Sequence, residues 1–270
     1  MTVKMIALDM DGTLLNPQHE ITPAVKSAIE QATAKGIIVV LASGRPYIGM
    51  QKYIAELGLN IPGQYCISYN GGLVQRAEDG EPILETTLGM DDYHLFEQLA
   101  KTLGVHFQAL DKQHLYTPNQ DISRYTVHEA EVTGIPLRYR SVEQMDPQLR
   151  FPKLMIVDEP ELLDNAISQL PADIFDRYTL VKSASHYLEI LDKRVSKGNS
   201  VQHLAEQLGF SAEEVLAVGD HENDLSMLAW AGYGVAMGNA IDSVKAQAAY
   251  QTSSNREDGV AQAIQKWALQ

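Results

Sequence analysis

The stretch VKMIALDMDGTLL, residues 3–15, sets an apolar run, Met5-Ile6-Ala7-Leu8, directly against Asp9, Asp11 and Gly12. A short continuous apolar run reads as a strand buried on both faces, the kind found in parallel sheets. Two carboxylates at the mouth of such a strand repel each other and lose hydration, so one of them is hard to ionise. A bound cation is the expected offset. An EF-hand calcium loop does not fit, because its glycine belongs at the sixth loop position, where Leu14 stands, and a helix should precede it.

The segments that follow keep a strand–helix rhythm. In ITPAVKSAIEQATAKG, Thr22 is placed to cap a helix, Pro23 to open it and Gly36 to stop it. The run IIVVLAS reads as a second strand, and YIGMQKYIAELG as a second helix closed by Gly58. YCISY makes a third strand, followed by Asn70-Gly71-Gly72 and a hairpin turning at Asp79-Gly80. This alternation predicts an α/β fold with a parallel sheet and crossover helices.

From residue 84 the texture changes. The helix MDDYHLFEQLAKTLG leads into short strands VHFQAL and HLYT, then into an irregular stretch containing Pro118, Pro136 and Pro147. The strand KLMIVD, the helix EPELLDNAISQL and the paired strands YTLVKSA and HYLEIL follow. Strands without crossovers predict an α+β domain with a mixed or antiparallel sheet. The parallel rhythm returns near residue 198, with strands VLAVG and YGVAM among helices. The expected organisation is a core of residues 1–83 and 193–270 interrupted by an α+β insertion, residues 84–192. No cluster of acids around a lysine comparable to those of the core is apparent within the insertion.

The bulk numbers narrow the function classes. The 270 residues carry 45% hydrophobic and 21% charged residues and a net charge of −14, with acids spread along the chain. That balance speaks against nucleic acid or anionic membrane as partner, since both are bound through excess Lys and Arg. An anionic substrate therefore needs a local positive site. The single cysteine, Cys66, cannot form an internal disulfide and reads as a buried structural thiol in a reducing compartment. With no secretory pattern and no apolar run near the ~18 residues of a membrane span, the expected location is cytoplasmic.

Ligands of open parallel sheets bind beyond the carboxyl ends of the strands. Four such places carry unusual residues: Asp9-Met10-Asp11-Gly12-Thr13, Ser43-Gly44-Arg45, Lys197 at the opening of a helix, and Gly219-Asp220-His221-Glu222-Asn223-Asp224. Singly, each has a plain reading. Ser43, Asp220 or Asn223 is a suitable helix cap. Lys197 opposes the dipole of the helix it opens, yet alone it reads as a solvated surface lysine. Four such features at corresponding strand ends read as one site.

Taken in order, DMDGTLL, ASGRP, VSKG and GDHEND resemble the four motifs of the haloacid dehalogenase superfamily, and the large insertion resembles the α+β cap of its Cof-type sugar phosphatases. The likeness spans essentially the whole chain. It implies a Rossmann-like parallel-sheet core and a Mg²⁺-dependent phosphatase of small phosphorylated metabolites, sugar phosphates first, working as monomer or homodimer. By resemblance Asp9 is the nucleophile that forms an aspartyl-phosphate. The Mg²⁺ ligands are the Asp9 side chain, the Asp11 backbone carbonyl and Asp220, while Asp224 holds water or orients Lys197. If the backbone stays extended past Leu8, Asp9 and Asp11 project to the same side, and Asp11 is then the general acid and base. Ser43, the Met10 and Gly44 N–H groups, Lys197 and Asn223 would hold phosphoryl oxygens. Arg45 and Asn70 match positions near the site, as possible substrate contacts. In the insertion, Arg138, Tyr139 and Arg140 could meet a sugar or form a solvated face.

Two other functions share these residues. A phosphomutase uses the same Asp pair, but mutases of this family usually carry a small helical cap between the first two motifs, where this chain has a single helix. A signalling module that only accepts phosphate on Asp9 would need neither Asp11 nor the large insertion.

Overall fold

A computed structural model describes residues 2–270. Along the chain come β1 (Met5–Asp9), α1 (Pro23–Ala34), β2 (Ile38–Ala42), α2 (Tyr47–Glu56), β3 (Tyr65–Ser68), β4 (Leu73–Arg76) and β5 (Pro82–Glu85). Next are α3 (Met90–Leu103), β6 (His106–Leu110), β7 (Leu115–Thr117), α4 (Arg124–Thr133), β8 (Leu137–Tyr139) and β9 (Lys153–Val157). Then follow α5 (Pro160–Ser168), α6 (Ala172–Arg177), β10 (Tyr178–Ala184), β11 (Tyr187–Asp192) and α7 (Lys197–Gln207). The chain closes with β12 (Val215–Gly219), α8 (Leu225–Trp230), β13 (Tyr233–Ala236), α9 (Asp242–Gln247), β14 (Tyr250–Gln251) and α10 (Gly259–Trp267).

The chain divides into two compact units. One holds the segments up to Gly44, Met50–Leu84 and Ser196–Gln270; the other holds Arg45–Gly49 and Glu85–Val195. In the first, eight strands run in the order β14-β13-β12-β1-β2-β3-β4-β5. The pairs from β14 to β3 are parallel, and β3–β4 is antiparallel. β1 lies between β12 and β2, and every one of its residues is buried. A strand so placed must be apolar along both faces, which is why Met5 to Leu8 show no alternation. α1 begins as its sequence dictates: the Thr22 hydroxyl accepts from the Val25 N–H and Pro23 fills the first turn. Cys66 is buried in β3, and burial pushes its thiol up to about 12, as suits an inert structural thiol.

In the second unit six strands run in the order β10-β11-β9-β6-β7-β8, antiparallel except for the β7–β8 pair. Tyr93 and Phe96 of α3 meet Phe107, Phe151, Leu154, Ile156 and Ile190 in an apolar core. The other side chains of the same strands are partly polar. Lys153 is buried there, donating to Glu129 at 3.1 Å and to Glu189 at 3.0 Å. Burial works against the Lys153 charge, but the two glutamates outweigh it and raise its pKa. This corrects the expectation that the insertion lacks a comparable cluster of acids around a lysine: the three residues are distant in sequence and only the fold unites them.

The stretch expected to be irregular contains α4. Its sequence, RYTVHEAEVT, is rich in β-branched and polar residues of modest helix propensity. Local signals nonetheless delimit it: the Ser123 hydroxyl accepts from the Tyr125 N–H, and Gly134 ends it in a left-handed conformation. Arg138, Tyr139 and Arg140, at and just past β8, are exposed. Among the described residues no helix is long and apolar enough to cross a membrane.

Lys153→Met should be strongly destabilising, by about 3–5 kcal/mol, since it strands two buried carboxylates. Urea unfolding of this variant beside Lys153→Met/Glu129→Leu/Glu189→Leu checks it. The triple variant, with no buried charge left, should recover most of the loss.

Candidate active site

β1 ends at Asp9, and the backbone does not stay extended past it. The N–H of Leu14 donates to the Asp9 carbonyl, while those of Thr13 and Leu15 donate to the Met10 carbonyl, so residues 10–15 curl back over the strand end. Gly12 makes this possible. It sits at φ +87°, and a Cβ there would come within 2.4 Å of Asp220 Oδ2. The extended backbone on which the common projection is conditional thus ends at Asp9. Asp9 is buried, whereas Asp11 is solvent-exposed, with His19 Nδ1 3.6 Å from its carboxylate.

Asp9 meets Lys197 beneath the curl. Lys197 is the first residue of α7, held there by Ser196, whose hydroxyl accepts from the Asn199 N–H. Its ammonium is wholly buried, 2.5 Å from Asp9 Oδ1 and 2.7 Å from Asp224 Oδ1. Burial opposes the charge, but Asp224 and Asp9 outweigh it and keep Lys197 protonated. Asp224 lies in the turn after β12, and its Oδ2 accepts from the Asp220 and His221 N–H groups. Both of its oxygens are thus engaged. Asp220 is half-buried and accepts from the Thr13 hydroxyl at 2.9 Å.

Asp9, Asp220 and Asp224 each bring a carboxylate oxygen within 4.8 Å of the others. Three acids thus face one ammonium. Burial first, then the charge of Asp224, lifts the Asp9 carboxyl well above its usual range despite Lys197. Burial and Asp224 likewise raise Asp220, against the pull of the Thr13 hydroxyl. Asp9 Oδ2 is buried with no hydrogen-bond partner among the described residues. An orphaned carboxylate oxygen amid uncompensated negative charge fits a hard divalent cation, which takes oxygen ligands. Asp9 and Asp220 have oxygens to offer it. Asp224 is spent on Lys197 and the backbone.

Of the remaining expected residues, those in the first unit gather beside this cluster. Ser43 is buried at the end of β2, its N–H donating to the Ile67 carbonyl and its carbonyl accepting from the Asn70 N–H. A Cβ on Gly44 would sit 3.1 Å from Asn70 Nδ2, and Asn70 Oδ1 accepts from Asn223 Nδ2 at 3.0 Å. The Met10 side chain is buried. Arg45 is half-buried and belongs to the segment that clusters with the second unit. His19 is a site-lining residue that the sequence does not single out, and Thr13, part of the first strand-end cluster, has no role legible there. Thr13 is the one hydroxyl within DMDGTLL, but its contact with Asp220 spans 207 positions.

The profile of a family described as haloacid dehalogenase-like hydrolase matches residues 6–264. The chain belongs to that family. It is 46% identical to a Bacillus subtilis protein named "Putative phosphatase YxeH", across 98% of both chains. It is 32% identical to the B. subtilis protein "Phosphatase YwpJ", covering 96% of this chain and 98% of that one. Among solved structures, a haloacid dehalogenase-like hydrolase from Bacteroides thetaiotaomicron superposes with a TM-score of 0.88 at 35% identity, covering 98% of this chain and 99% of the other. The eight-stranded unit is thus a Rossmann-like core of this family, and the six-stranded unit is its α+β insertion.

The raised carboxyls set a pH dependence. The native state binds these protons more tightly than the unfolded chain, so each group favours folding in acid. That contribution is lost as pH climbs from the ordinary Asp value of about 3.9 through the raised one. In chelator, Asp220→Asn should therefore melt above the parent at about pH 8, with the gap closing toward pH 4. Thermal melts of both proteins across that range check the sign.

Proposed function

We propose that this enzyme, a phosphoric monoester hydrolase, acts on small phosphorylated metabolites, sugar phosphates foremost, through an aspartyl-phosphate on Asp9. The observation that carries the reading is the buried Asp9 carboxylate at the end of β1. One of its oxygens is held by Lys197 and the other is left unpaired. A carboxylate fixed in this way is poised to attack, because its orientation is set before substrate arrives.

An Asp9 oxygen bonds to phosphorus as the ester P–O bond breaks, and Asp11 gives its proton to the leaving oxygen. Asp11 then takes a proton from water, whose oxygen attacks phosphorus and releases inorganic phosphate from Asp9. Exposure suits Asp11 to this exchange, since it must trade protons with a leaving group and with water. Ser43, the Met10 and Gly44 N–H groups, Lys197 and Asn223 hold the phosphoryl oxygens, the positioning on which in-line transfer depends. Asp9, Asp220 and the Asp11 carbonyl would hold Mg²⁺, which would supply positive charge between the carboxylate and the phosphate. We assign the choice of leaving group to the inserted unit, residues 84–192, and the phosphoryl chemistry to the core.

Purified protein should release inorganic phosphate steadily from a generic aryl phosphate, stop in excess EDTA and resume with Mg²⁺. Asp9→Asn should abolish turnover while leaving the melting curve cooperative. Asp11→Asn should lower kcat by about 10²–10⁴-fold, the usual worth of a general acid–base group. Near-normal turnover by Asp9→Asn would sink the mechanism. A panel of phosphorylated metabolites then ranks substrates.

A further inference from the structure

Three consecutive residues after β3 adopt left-handed backbone conformations: Tyr69 at φ 52°, Asn70 at 56° and Gly71 at 107°. Such a φ is uncommon for a non-glycine residue and a true outlier for a bulky one such as Tyr69. Two strained residues in succession persist only where their surroundings over-determine them. All three are buried.

The surroundings here are the strand-end loops of the active site. The Asn70 N–H donates to the Ser43 carbonyl at 2.9 Å, and the Gly71 carbonyl accepts from Ser200 on α7, the helix that Lys197 opens, at 2.8 Å. A Cβ on Gly71 would fall 2.4 Å from the Ser196 carbonyl oxygen, so the turn lies hard against that helix start. The Asn70 side chain spans the gap between two other loops, its Oδ1 accepting from Asn223 Nδ2 and its amide packing on Gly44. One turn thus touches the ends of β2, α7 and the β12 loop.

We infer that Asn70 is a positioning residue, which aims the Asn223 amide and the Ser43–Gly44 backbone at the phosphoryl group. The inference rests on the phosphate-binding role proposed for those three residues. It deepens that reading, because the hydrogen bond to Asn70 Oδ1 fixes the orientation of the Asn223 amide. The backbone strain is what places that oxygen.

Asn70→Gly tests this without disturbing the turn, since glycine adopts positive φ freely and only the amide is lost. The melting temperature should stay near that of the parent. kcat/KM should fall about ten-fold, the scale of one lost hydrogen bond at a positioned group. The loss should be equal for an aryl phosphate and for a metabolite phosphate, and competitive inhibition by inorganic phosphate should weaken by the same factor. Adding Asn70→Gly to Asn223→Ala should cause little further loss, because the two side chains act as one. Full activity in Asn70→Gly beside an impaired Asn223→Ala would overturn the inference alone. So would multiplicative losses, or losses that vary with the leaving group, which would make Asn70 a substrate contact. A silent Asn223→Ala would instead remove the phosphate-binding reading, and the inference with it.

Discussion

The contact between Lys197 and Asp9 joins residues 188 positions apart and is buried. Taking an ammonium and a carboxylate out of water costs several kcal/mol per ion. Lys197 also opens α7, where the helix dipole already opposes a cation. Only a second carboxylate and close geometry make the arrangement tolerable. Asp224 supplies both, being locked by two backbone N–H groups before it reaches the lysine. The ends of β1, β12 and α7 must therefore meet closely for any of these charges to be buried at all. That requirement explains the crowding around them, where glycine at position 12 admits the Asp220 carboxylate.

The same contact leaves the site deliberately incomplete. Lys197 neutralises one charge among Asp9, Asp220 and Asp224, and the two carboxyls not locked by backbone N–H groups have raised pKa values for want of more. A cluster evolved for stability would have been balanced or made apolar, since well-packed hydrophobic replacements often equal or surpass buried ion pairs. Local rules broken without compensation inside the fold are expected at functional sites. Here the three acids, left with an excess of negative charge, fit a cation supplied from outside the fold.

Much of this was legible because it is local in sequence. The apolar run before Asp9, the Thr22–Pro23 helix start and the strand–helix alternation each reside in a few adjacent residues. The order of the four strand-end motifs then identified the family. What escaped was long-range or conformational. α4 was missed because β-branched residues in a Pro-flanked stretch masked its caps. The curl after Asp9 is not legible locally, because it turns on Gly12 in a left-handed conformation against Asp220. In the sequence Asn70 reads only as a residue near the site. Its strain and its bond to Asn223, 153 positions away, exist only in the assembled core.

Two buried lysines show what separates structure from function in this chain. Each stands between two carboxylates, and each has its pKa raised by them against the effect of burial. Lys153 closes its account: Glu189 also accepts from the Ser183 hydroxyl, and neither glutamate leaves a buried oxygen without a partner among the described residues. Lys197 does not, for Asp9 keeps one oxygen buried and bare. Burial, charge and shifted pKa are common to both clusters, so none of them alone marks an active site. What separates the two clusters is the bare carboxylate oxygen of Asp9, since a charged buried group costs more to leave unengaged than a neutral one.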